Sequence, residues 1–303
     1  MRMQLSYDIQ CGDNNKLLQN LDENSVDLVV TDPPYGMEIV GSDWDKDVPP
    51  SETWSSILRV LKPGGWCLSF CSPELYHRMA TKMEDGGFLI KDQVIWMVTT
   101  KMAKANKLKP AHEPIAVAQK PISEKTIKAN IERWGTGTIN IEGNRIPWEK
   151  KPPTGWVSGG AKRRSFGNDV VKSTEQDTEK LSANPEGRYP SNIVGHFDDH
   201  NHQKYFYAPR VTRKERKEYN NHPTPKPIDL MRWLINVYVP GTNSVILDPF
   251  NGSGSTGIAA LMEEHNYIGI DLSSEYCEIS KRRIEDYISE KNNIWNDLFE
   301  EKK

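Results

Sequence analysis

No stretch of this 303-residue chain approaches the roughly 18 consecutive apolar residues of a membrane-spanning helix, and its mean hydropathy is -0.68. A membrane protein is therefore not expected. The N-terminus, MRMQLSYDIQ, has neither an apolar core nor a small-residue cleavage site, so nothing indicates export and a cytoplasmic location is expected. Cysteine is scarce: Cys11, Cys67, Cys71 and Cys277 are scattered without a CxxC pair, which argues against a disulfide framework and a zinc module. No Gly-Lys-Ser/Thr follows the glycine-rich stretch near residue 252, so a phosphate-binding P-loop is excluded, and no internal repeat is present.

What is present is a length sufficient for a large core, with 36% hydrophobic and 27% charged residues. The net charge of -3 argues against a protein that coats nucleic acid. It also hides an asymmetry. Residues 101–217 hold 23 Lys and Arg against 13 Asp and Glu, whereas the remainder holds 16 against 29. A basic middle in an acidic frame suits one face built for a polyanion, and equally suits an ordinary solvated surface.

Apolar patterning predicts alternating strands and helices. Strands are expected at 7–11, 26–31, 66–70, 93–98, 115–118, 245–248 and 267–270. Helices are expected at 14–21, at 52–61 (stopped by Pro63-Gly64-Gly65), after Ser72-Pro73-Glu74 with Ser72 as cap, from Pro225 to Pro240-Gly241, and through about Ser289. A polar, peripheral tail is expected from Glu290 onward. This alternation predicts an α/β fold with a mostly parallel sheet and helices on both faces. The pattern degrades over residues 122–221, which are rich in prolines, glycines and interleaved aromatics and cations such as Arg133-Trp134, Trp148, Arg188-Tyr189 and Tyr205-Phe206-Tyr207. That stretch reads as a loop-rich insertion.

Two motifs carry chemistry. The first, VILDPFNGSGSTG at residues 245–257, reads as strand, tight glycine loop and helix start. Asp271 ends the following strand at about the spacing from which an acid reaches a ribose hydroxyl, so an adenosine-containing cofactor is expected. Glycine spacing does not separate a dinucleotide from S-adenosylmethionine. Asp248 favours the second, because a carboxylate repels a pyrophosphate but accommodates a sulfonium. The second motif, TDPPYG at residues 31–36, lies more than two hundred residues earlier. Consecutive prolines fix an extended backbone, so the Asp32 carboxylate and neighbouring carbonyls are presented rigidly, with the Tyr35 ring behind them. This suits a planar ring with an exocyclic amine, whose N–H groups donate to Asp32 and the Pro33 carbonyl.

In these two motifs and their order the chain resembles the β-class (N6-adenine/N4-cytosine) DNA amino-methyltransferases. LKPGGW at 61–66, KPAHEPIAVAQK at 109–120 and HPTPKPIDLMRWLI at 222–235 look like further family segments in family order. The resemblance implies a Rossmann-like, S-adenosylmethionine-dependent methyltransferase fold: a seven-stranded, mostly parallel sheet in circularly permuted order, with an inserted target-recognition region. It divides the chain into a catalytic half (1–121), a target-recognition insertion (122–221) and a cofactor half (222–303). Asp32, Pro33, Pro34 and Tyr35 would be catalytic. Asp248, Phe250, Gly252, Ser253 and Gly254 would form the cofactor loop. Asp271 would bind ribose and Asp13 would lie by adenine. Thr224 and Lys226 would approach the methionine end, with Lys226 as a carboxylate partner, against a rival reading as a solvated lysine.

Asp at the head of the tetrad leans toward the N6 amine of adenine in a flipped-out base of double-stranded DNA, with N4 of cytosine as the alternative. None of the cysteines follows a proline, which argues against cytosine-C5 transfer. RNA, a nicotinamide oxidoreductase and a catalytically silent DNA-binding protein are weaker rivals. No metal is expected, although His196, His200 and His202 with Asp198 and Asp199 form a ligand-like cluster. Trp44-Asp45 is left open between a base-covering and a packing role. The resemblance also leaves open a homodimer and a companion restriction nuclease.

Overall fold

The computed structural model describes residues 5–35, 47–98, 108, 110–148, 184–195 and 213–300, with 292–300 by backbone alone. Gly36, Trp44-Asp45, the histidines at 196, 200 and 202 with Asp198 and Asp199, and the aromatic run at 205–207 lie outside the described residues.

Eight strands form one sheet: β1 (Tyr7–Cys11), β2 (Val26–Thr31), β3 (Leu61–Phe70), β4 (Leu89–Met97), β5 (His112–Gln119), β6 (Ile193–Val194), β7 (Val245–Asp248) and β8 (Asn266–Asp271). Their order across the sheet is β1-β8-β7-β2-β3-β5-β4-β6. Among the described residues only β5 runs against the others, so the expected mostly parallel sheet is present. The strand β2 lies at its centre because VDLVVT is apolar toward both sides, and all six of its residues are buried. Leu28 and Val30 face one layer and Val29 the other.

The first layer is made by α6 (Ile228–Tyr238), α7 (Ser255–Met262) and α8 (Ser274–Glu300); the second contains α1 (Asn14–Leu17), α2 (Ser51–Val60) and α3 (Tyr76–Asp85). The chain turns from β7 toward β8 and from β2 toward β3, in opposite directions across the sheet. Neighbouring strands that lead apart in this way leave a crevice beyond their carboxyl ends, where α/β folds bind ligands.

Several local expectations need correction. Pro63-Gly64-Gly65 does not interrupt the chain between helix and strand: α2 passes directly into β3, and the pairing with β2 shifts register between Val26 and Leu28. Ser72 does not cap α3. Ser72-Pro73-Glu74 forms a turn closed by the Leu75 N–H on the Ser72 carbonyl, and the helix starts at Tyr76. The helical segment after Asn14 is one turn of α-helix followed by a 3-10 turn at Leu18–Asn20. The last helix continues through Glu300, because nothing in NNIWNDLFE breaks it.

The stretch read as loop-rich also contains regular structure. Helix α4 (Ile127–Trp134) is capped by the Thr126 hydroxyl and ends on Gly135 in the left-handed conformation. Its buried Asn130 donates to the Pro63 and Thr136 carbonyls and accepts from the Ser123 N–H, fastening α4 to β3. The short strand β6 extends the sheet beside β4. A further short helix, α5 (Arg213–Arg216), precedes the HPTPKP segment.

Candidate active site

The two motifs meet because β2 and β7 are hydrogen-bonded neighbours. The Thr31 hydroxyl donates to Asp248 Oδ1 at 2.8 Å across 217 residues of sequence, while the Thr256 hydroxyl donates to Oδ2 at 2.7 Å and the Phe250 N–H to Oδ1 at 3.1 Å. Asp248 therefore ties together β2, β7 and the start of α7. Burial pushes its carboxyl up to about 7, against the hydrogen bonds from Thr256, Thr31 and Phe250 that favour the ionised form.

The glycine loop is held from behind. Gly252 (φ +51°) and Gly254 (φ +78°) adopt left-handed conformations that side chains disfavour. The Gly252 N–H donates to Asp271 Oδ2 at 2.7 Å, and the Ser273 N–H to Oδ1 at 2.9 Å. Burial raises the Asp271 carboxyl, while these two N–H groups oppose the shift. The Asn251 side chain accepts from the Tyr267 hydroxyl at 2.7 Å, and its N–H donates to the Ile270 carbonyl at 2.9 Å. The loop is thus held by hydrogen bonds from the protein's own groups.

Lys226 is buried, which excludes the solvated reading. Its ammonium pairs with Asp32 Oδ2, lies 3.8 Å from Glu113 Oε2 and sits 5.0 Å from the centroid of the Phe70 ring. Burial works against the ammonium, but Asp32 and Glu113 more than offset it and hold its pKa above the ordinary lysine value. A residue expected on the cofactor side therefore contacts Asp32, the head of the Asp-Pro-Pro-Tyr motif, directly.

An open cleft lies over this region, lined by Asp32, Thr224, Lys226, Asp248, Phe250, Gly252, Ser253 and also His222. Asp13 and Asp271 are outside the lining. Asp13 caps α1 by accepting from the Asn15 N–H at 2.9 Å, just beyond β1, whose Cys11 pairs with Asp271. Asp271 stands behind the glycine loop. Pro33 is buried, Pro34 is half-buried, and Tyr35 packs partly against the second layer. Gly254 starts α7, as its left-handed conformation permits.

Three residues in or beside this site escaped sequence reasoning. Glu113 heads the buried strand β5, and a carboxylate within that apolar run was the available signal. The His222 ring accepts the Thr224 N–H on Nδ1 at 3.3 Å and lies edge-on to Tyr276. Its pKa is pushed down to about 4, by burial first and then by Lys226, so the ring is neutral and Nε2 carries the proton. Arg283 is buried on α8 against the glycine loop; its spacing from Cys277 and Ser280 places it on the covered side of that helix.

A doubly wound sheet, a glycine-loop cleft at its switch point and a half-buried acid just past the end of the neighbouring strand define a nucleotide-cofactor-binding α/β enzyme scaffold. A family profile described as DNA methylase, of the N6/N4 type, matches residues 26–282, and the chain belongs to that family. Its members are S-adenosylmethionine-dependent. The chain is similar to the DNA adenine methyltransferase YhdJ of Escherichia coli, with 26% identity over 293 residues, covering 90% of this chain and 81% of the relative. It resembles two solved structures in fold. One is the PvuII DNA methyltransferase (cytosine-N4-specific), with TM-score 0.58, 16% identity and coverage of 97% and 95%. The other is the M1.HpyAVI-SAM complex, with TM-score 0.53, 21% identity and coverage of 92% and 98%.

Proposed function

We propose that this DNA methylase acts on the exocyclic N6 amine of adenine in a base flipped out of double-stranded DNA. The observation that carries the site assignment is the union of the motifs: Asp32, at the end of β2, shares a cleft with the glycine loop and is paired to Lys226. The residues present fit the cofactor. The carboxylates of Asp32 and Glu113 outnumber the Lys226 ammonium beside the cleft, which suits a sulfonium. Glycine at 252 lets the loop approach His222 closely, since a Cβ there would lie 3.0 Å from His222 Nε2.

S-adenosylmethionine supplies a methyl group activated by its sulfonium. Gly252, Ser253, Gly254, Phe250, Thr224 and Asp248 would hold it, with Asp271 and Asp13 toward its adenosine end. The exposed Leu272 beside Asp271 offers an apolar face there. The chain's own contribution concerns the target amine, whose lone pair is delocalised into the ring. Asp32, kept ionised by Lys226, accepts an N–H of the amine, and the Pro33 carbonyl takes the other. Drawing those protons into hydrogen bonds localises the lone pair and makes the nitrogen a nucleophile. Tyr35 stacks on the extruded base.

Asp32 at the head of the tetrad supports adenine over cytosine, and the similarity to the DNA adenine methyltransferase YhdJ agrees with it. In this reading the catalytic half ends at residue 121, the cofactor half starts at 222, and the basic 122–221 stretch between them contacts DNA. Among the described residues no helix is long and apolar enough to cross a membrane, and a cytoplasmic enzyme is the reading that goes with a DNA substrate. A homodimer and a companion restriction nuclease belong to the same reading. The test is to express the chain in cells without other DNA methylation, map modified bases and identify them by mass spectrometry. N6-methyladenine at a defined motif is expected; N4-methylcytosine would reverse the base assignment, and unmodified DNA would overturn the catalytic reading.

A further inference from the structure

Arg283 is 3% exposed, yet it bears a guanidinium, and burial pushes its pKa below the usual arginine value. It stands by the N-terminus of α7, the positive end of that helix dipole and an unfavourable place for a cation. What it does there is visible from its contacts. Nη1 donates to the Ser253 carbonyl at 2.5 Å, to the Ser253 hydroxyl at 3.0 Å and toward the Ser255 hydroxyl at 3.4 Å. Nη2 donates to the Glu215 carbonyl at 3.2 Å. Glu215 in turn accepts the Ile228 N–H on Oε1 at 2.7 Å, satisfying the first turn of α6 immediately after Lys226.

One planar side chain thereby spans the two rims of the cleft. On one side is the glycine loop that leads into α7; on the other is α5, whose Glu215 anchors the end of the HPTPKP segment. These rims are separate in sequence and come from different elements, and neither fixes the other by a strand pairing. A guanidinium reaches both because its donors diverge in a rigid fork, which an ammonium lacks.

We propose that Arg283 is a positioning residue for the cofactor: it sets the spacing between the glycine loop and the HPTPKP segment, and thereby the affinity of the cleft for S-adenosylmethionine. This rests on the cleft being the cofactor site. Arg283 touches no reacting atom, so its effect falls on binding and not on the chemical step.

The test compares the unsubstituted chain with Arg283→Lys and Arg283→Ala. S-adenosylmethionine binding is measured by calorimetry, KM and kcat by methyl transfer to DNA, and folding by thermal melting. Both variants are expected to raise KM for S-adenosylmethionine at least tenfold with kcat within about threefold, and the lysine is not expected to restore it. Ethylguanidinium added to folded Arg283→Ala is expected to lower KM again. A variant that melts earlier but keeps the original KM would reduce Arg283 to a packing role and overturn the proposal. So would a fall in kcat with KM unchanged. Failure of the unsubstituted chain to bind the cofactor would overturn the cofactor reading and this proposal together, whereas binding by all three chains alike overturns only the role of Arg283.

Discussion

Lys226 connects two assignments that are separate on paper. Its ammonium is buried between Asp32 and Glu113, so the carboxylate that must accept the target amine is already matched to a cation. Replacing the lysine by Met keeps the bulk and leaves two acids near each other without it, which raises the pH needed to ionise Asp32. Lys226→Met is expected to lower methyl transfer at pH 7 by roughly 10- to 100-fold, the equivalent of about 1.5–3 kcal/mol from one charge-assisted hydrogen bond. The loss should shrink as pH rises toward 9. A rate profile parallel to that of the unsubstituted enzyme would contradict this role. The resemblance implies a carboxylate partner for Lys226 at the methionine end of the cofactor, and not the Asp32 carboxylate that it contacts. Its contact with Asp32 arises because the segment before α6 crosses the end of β2, which local patterning does not report.

At the scale of elements, glycine acts in two different ways, in the strand-loop-helix unit of β7 and α7 and in the turn between α6 and β7. Gly254 has φ +78°, and a Cβ there would lie 2.2 Å from the Ser280 hydroxyl of α8. Gly241 also has positive φ, +102°, but a Cβ there meets nothing within 4 Å. Gly254→Ala is expected to abolish S-adenosylmethionine binding and to lower stability by roughly 1–3 kcal/mol. Gly241→Ala should lower stability by about 1–2 kcal/mol and leave binding intact. Calorimetric titration and thermal melts of the two variants decide the matter, and equal loss of binding would refute the steric account. This unit was readable from sequence because its signals are local: an apolar run, an acid, glycines and a second apolar run. The cap of α3 was misread because Ser72 is followed by a turn held through its own carbonyl, a choice made by burial at the top of β3.

The whole molecule should carry opposing pH dependences at one site. Asp248 has its pKa raised from 3.8 to about 7 by burial, so its contribution to stability is present below about pH 3.8 and is lost as pH rises through 7. His222 has its pKa lowered from 6.5 to about 4, by burial and then Lys226, so its contribution is present above about pH 6.5 and is lost as pH falls toward 4. In cofactor-free protein, the melting temperature of Asp248→Asn relative to the unsubstituted chain is expected to rise between pH 4 and pH 7. That of His222→Gln is expected to fall over the same window. Differences that do not vary with pH would show that neither group titrates as its burial implies.

The sequence by itself pointed, through resemblance to a known family, to a permuted methyltransferase, and it determined the alternation of strands and helices, the glycine loop and the rigid Asp-Pro-Pro-Tyr strand end. Those features are encoded within a few residues of chain, where turn chemistry and apolar periodicity act. Only the tertiary structure decided that β7 lies beside β2, that Thr31 donates to Asp248 across 217 residues, and that Lys226, Glu113, His222 and Arg283 gather around one cleft. The reason is that pairing between parallel strands and burial of charge depend on partners distant in sequence, and a lysine or arginine carries no local mark of whether water or a carboxylate will receive it.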